Sequence, residues 1–86
     1  MKREKITELR LSNQDVAILY EPNGLDAIRM CLMTISKNQN AIEYLVTNLV
    51  EINGVNKEVK YFETLQYNET LEILNILSLF MNKLEI

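Results

Sequence analysis

The side chains best suited to chemistry in this chain are carboxylates. Glu58, Glu63, Glu69 and Glu72 fall close together in sequence, and paired carboxylates can act as general acid and general base when their surroundings push their pKa values apart. That requires a cleft, and these four lie among lysines and helix-capping positions with no glycine-rich or cleft-forming segment beside them. They read as solvated charges. The chain has no histidine and a single cysteine, Cys31, so His-dependent nucleophilic catalysis and a zinc centre both lack their essential groups. Gly24 and Gly54 are its only glycines, too few for a phosphate-cradling loop or a dinucleotide fingerprint. No catalytic residue, cofactor or metal is therefore expected, and binding to another protein is the role that remains.

Nucleic acid is an unpromising partner. Tyr20, Tyr44, Tyr61, Phe62, Tyr67 and Phe80 could stack on bases, but stacking platforms work inside positively charged grooves. Here nine Lys and Arg stand against twelve Asp and Glu, for a net charge of -3, and beyond Lys2, Arg3 and Lys5 the basic residues are scattered. A helix-turn-helix reading fails on the same ground, because the segment 40–52 carries Glu43 and Glu51 and no Lys or Arg. No apolar run approaches the ~20 residues of a membrane span, and the charged start leads into no apolar h-region. Neither membrane insertion nor secretion is expected. Cys31, between Met30 and Leu32, is expected in an apolar setting as an inert structural thiol, which fits the reducing cytoplasm.

Composition and hydrophobic period indicate which elements must position these groups. A chain of 86 residues, 48% hydrophobic and 24% charged, is expected to fold as one domain (1–86), with a thin core that buries roughly 60–65% of its extended surface. Residues 6–11 and 16–20 alternate with period two around the turn-forming Ser12-Asn13-Gln14-Asp15 cluster, which predicts a β-hairpin over 6–21, preceded by a flexible lead-in at 1–5. After Pro22 the period changes to about 3.6. Asn23 stands three residues before Asp26 in a capping-box pattern, opening a first helix with a wide apolar stripe at Leu25, Ile28, Met30, Cys31, Leu32 and Ile35. Asn40 and Glu43 repeat the pattern ahead of a second helix over 40–52, whose stripe is Ile42, Leu45, Val46, Leu49 and Val50. Gly54 is placed to close that helix in a left-handed conformation, with Val55 covering the last turn. Residues 56–66 have no decisive period and fit either an irregular piece or a brief helical turn.

From Asn68 onward a third helix is apolar nearly all round, leaving a polar stripe of Glu72, Asn75, Ser78 and Asn82. The fold class expected is thus α+β and helix-dominated: an N-terminal two-stranded β-hairpin packed on about three α-helices, with the helical part spanning 23–86. The third helix carries more apolar surface than a thin core can cover. Leu71, Leu74 and Leu77 are assigned to the core, and Leu79, Phe80 and Leu84 to contacts with another protein, either a second copy or a client helix.

Two stretches carry a family resemblance: Lys5-Ile6-Thr7-Glu8-Leu9-Arg10-Leu11, and Leu19-Tyr20-Glu21-Pro22-Asn23-Gly24-Leu25-Asp26. Followed by a helix ending at Asn53-Gly54, a tyrosine-containing connector and a C-terminal helix, they resemble the small tail assembly chaperones of Mu-type and related long-tailed phages. The resemblance covers most of the chain. It implies a non-enzymatic protein of the bacterial host cytoplasm, partnered by the phage tail tape-measure protein and tail-tube subunits, with no catalytic residues and often with a longer partner made by translational frameshifting. The strongly apolar C-terminal helix departs from that pattern and adds the expectation of a homo-oligomer. A small cytoplasmic regulator or adaptor, forming an antitoxin-like oligomer, and a minor virion structural component are the alternative readings.

Overall fold

The computed structural model describes residues 3–36 and 41–81. The period-two segments form two antiparallel strands, β1 (Lys5–Arg10) and β2 (Val16–Tyr20), with Leu9 opposite Ala17 and Arg10 opposite Val16. At their turn the Gln14 N–H donates to the Leu11 carbonyl at 3.0 Å and the Leu11 N–H to the Asp15 carbonyl at 2.8 Å. Gln14 takes a left-handed conformation (φ 77°) to allow both. A bulge interrupts β1 between Lys5 and Thr7.

Helix α1 (Gly24–Ser36) starts on a reciprocal cap. The Asp26 N–H donates to the Asn23 side-chain oxygen at 3.0 Å, and the Asn23 N–H donates back to the Asp26 carboxylate at 2.9 Å, so two otherwise orphaned donors are satisfied.

The expected lone hairpin on three helices is overturned, because strand pairing resumes after the second helix. That helix does not run over 40–52: α2 (Ala41–Leu49) stops at Leu49, and the next residues form strand β3 (Val50–Ile52), which turns directly into β4 (Val55–Asn56). Among the described residues the sheet has four strands in the order β1-β2-β3-β4, all antiparallel. Asn53 and Gly54 both have positive φ, 53° and 86°. Two consecutive left-handed residues make the turn of a tight hairpin, whose twist matches the strands it joins, rather than a helix terminus. The β-branched Val50, Ile52 and Val55 around Asn-Gly favour the same outcome. A helical turn comes next at α3 (Val59–Phe62), then α4 (Tyr67–Met81). The described chain thus holds four helices, not about three, and is roughly half helical.

One face of the sheet is dry. Ala17, Leu19, Val50 and Ile52 are buried, while the alternating Val16, Ile18, Tyr20 and Glu51 keep partial exposure. The helices cover that dry face from one side, giving two layers around a single core. Helix α2 is central, packed against α1, α3, α4 and the β3–β4 hairpin. It contributes Leu45 and Leu49, α1 contributes Met30, α3 contributes Phe62, and α4 contributes Ile73 and Leu77. The Tyr61 and Phe62 rings meet edge to face, centroids 5.4 Å apart, where α3 reaches this core.

Candidate protein-binding surface

Exposed apolar side chains stand on two of the helices, α1 and α4. In α1 the apolar positions split between two sides of the helix. Asp26 and Met30 are buried, whereas Leu25, Ile28 and Leu32 are 41%, 59% and 59% exposed. Their i, i+3, i+7 spacing lines these three up as one outward stripe. On α4, Leu77 is buried and Leu74 packs half-buried on the core, as their spacing predicts, but Leu71 is 38% exposed and Ile73 takes a fully buried place instead. Leu79 is 64% exposed, one of the three residues expected to face a partner. The Phe80 side chain and Leu84 lie outside the described residues.

Sequence spacing alone misses the α1 stripe. Its signal is present, since the first helix has more apolar positions than one buried face needs, but periodicity cannot say which of two apolar faces turns inward.

The α1 face is held in place by a buried carboxylate. Asp26 is fully buried and accepts two 2.7 Å hydrogen bonds from the Arg3 guanidinium, one from the Tyr44 hydroxyl at 2.7 Å, and the capping bond from Asn23. Burial pushes its carboxyl up, but the Arg3 bonds, the Asn23 N–H and the Tyr44 hydroxyl outweigh that and hold it at about 2. Burial and the same carboxylate push the Tyr44 hydroxyl up, and the hydrogen bond to Asp26 raises Arg3 further. These bonds all come from the protein itself, so this carboxylate is ionised and structural, joining the lead-in, α1 and α2.

A second polar knot ties the turns together. Asp15 accepts from the Tyr61 hydroxyl at 2.6 Å and from the Asn53 amide at 2.9 Å, and these bonds hold its carboxyl below the ordinary range. Asn53 also accepts the Val16 N–H at 3.0 Å, and Ser12 donates from its N–H and hydroxyl to Glu69 at 2.7 and 3.1 Å. Of the four carboxylates considered for acid–base work, Glu69 is therefore engaged by Ser12. Glu58 and Glu63 flank α3, and Glu72 is exposed.

Cys31 is partly exposed, a wetter place than its Met30 and Leu32 neighbours suggest. Beside Val55, Lys57, Lys60 and Tyr61 lies a depression open to solvent. Among the described residues no group of three or more His, Cys, Asp or Glu could hold a metal ion, and no helix is long and apolar enough to cross a membrane. The chain matches no protein-family model, no curated protein and no solved structure.

Proposed function

We propose that this chain is a non-enzymatic chaperone that takes an amphipathic helix of a client protein on the outer faces of α1 and α4. The outward stripe of Leu25, Ile28 and Leu32 carries this reading. Apolar side chains at i, i+3 and i+7 on a rigid helix offer the ridge that a client's own apolar stripe packs against, and Leu79 adds an exposed apolar side chain on α4. Burying Ile28 and Leu32 against a client would contribute about 1.5–3 kcal/mol each.

The resemblance to phage tail assembly chaperones supplies the kind of client. It supports a role in the bacterial host cytoplasm, holding the tape-measure protein and promoting assembly of tail-tube subunits around it. A long helical tape-measure protein presents repeated apolar stripes that would aggregate if left uncovered. The test is co-expression of this chain with a tape-measure protein of a long-tailed phage, followed by size-exclusion chromatography. A soluble complex that is lost with Ile28→Glu and Leu32→Glu is the expected result. Tape-measure protein that behaves identically with and without this chain would end the reading.

A further inference from the structure

Strand β1 is the outer strand of the sheet, and no described strand pairs with its free edge. The hydrogen bonds fix which backbone groups lie along that edge. The Leu11 N–H bonds to Asp15, and Val16 turns its carbonyl away from β1 to accept from Asn53. In the regular part of β1, therefore, Thr7 and Leu9 turn their backbone groups toward β2, and Glu8 and Arg10 present theirs outward. The bulge that would deter edge pairing lies nearer the start, between Lys5 and Thr7, and leaves the stretch from Thr7 regular.

We propose that this edge pairs with β1 of a second copy, antiparallel, about a two-fold axis at Leu9. The outward-facing residues select this register. Centred on Glu8 or on Arg10, the two-fold would set like charges directly opposite, Glu8 against Glu8 or Arg10 against Arg10, which is destabilising. Centred on Thr7, it would have to run the pairing through the bulge between Lys5 and Thr7. Centred on Leu9, it sets Glu8 opposite the second copy's Arg10 twice over, and the backbones of those two pairs exchange four N–H···O=C bonds. Both side chains are exposed on the free monomer. Among the described residues the Arg10 guanidinium has no ion-pair partner, and Glu8 holds only Lys5, at 2.8 Å. Leu9, half-buried, meets its own copy in the close non-hydrogen-bonded pair on the helix side of the sheet.

The contact is isologous and closed. It produces one eight-stranded sheet with both helix layers on the same face, so two copies would present their α1 stripes side by side to one long client. The self-pairing stands whether or not the client is a tape-measure protein.

The test is sedimentation velocity of the full chain across a concentration series. A concentration-dependent dimer is expected. Arg10→Glu should weaken it at least about tenfold, because both cross-strand pairs become repulsive, and the double variant Glu8→Arg/Arg10→Glu should restore it by exchanging the charges. In a mixture of isotope-labelled and unlabelled chain, an intermolecular contact between the two Leu9 Hα protons is expected. A chain that stays monomeric at millimolar concentration overturns the proposal. So does a dimer indifferent to Arg10→Glu, or one that the double exchange leaves weakened.

Discussion

Arg3 and Asp26 are 23 residues apart in sequence and joined by two parallel 2.7 Å hydrogen bonds, with the carboxylate fully buried and the guanidinium side chain 27% exposed. Such a fork matches the planar guanidinium to the carboxylate and fixes orientation as well as distance. Removing one partner of a buried pair leaves the other uncompensated. Asp26→Ala also removes the α1 cap, so it is expected to cost about 3 kcal/mol or more, read as a drop in the urea midpoint. Arg3→Ala should cost less while raising the Asp26 carboxyl, visible as a shifted carbon resonance in an NMR titration.

The same carboxyl makes stability depend on acid. Its ordinary value of 3.8 falls to about 2 in the folded chain, so the unfolded chain binds the proton more readily. The stabilisation is fully present above about pH 5 and is lost as pH falls through the folded value near 2, roughly 2 kcal/mol in all. Asp15 is lowered as well and acts with the same sign. Urea midpoints taken from pH 6 down to pH 2 should fall, and Asp26→Asn should start lower and flatten the curve. A wild-type midpoint that is constant over this range would contradict the assignment.

The two glycines should respond oppositely to alanine. Gly54 has φ 86° and open space where a Cβ would sit, so Gly54→Ala meets no clash but must hold an L-residue in the left-handed region, costing about 1–2 kcal/mol. Gly24 has equally open space and lies in the first turn of α1 without a positive φ. There Gly24→Ala is expected to stabilise by about 0.4–1 kcal/mol by restricting the unfolded chain. Thermal melts of the two variants in one buffer decide the matter.

Substitutions on the two sides of the helices should separate folding from binding. Ile28→Glu and Leu79→Glu alter exposed side chains and should change stability by no more than about 0.5 kcal/mol while abolishing client capture. Leu77→Ala empties a fully buried site and should cost about 2–5 kcal/mol. Pull-down and chemical denaturation on the same preparations measure both properties.

Short-range signals in the chain suffice for three of its local features. The alternation on either side of Ser12-Asn13-Gln14-Asp15 specifies the β1–β2 hairpin, the Asn23 and Asp26 spacing specifies the start of α1, and the long apolar run from Leu71 specifies α4. Residues 45–55 are ambiguous at that level. Leu45, Leu49 and Ile52 fit a helical period, while Val50, Ile52 and Val55 around Asn53-Gly54 fit a hairpin. Long-range pairing resolves the conflict, because β2 offers Ala17 and Leu19 as partners for Ile52 and Val50, and strand pairing there satisfies backbone groups and buries both side chains together. The fate of Asp26 is likewise non-local. A carboxylate at a helix start reads as an exposed cap until Arg3 and Tyr44 arrive from distant parts of the chain to compensate its burial. The outward turn of Leu25, Ile28 and Leu32 has the same origin, since α1 has two apolar faces and packing against α2 can cover only one.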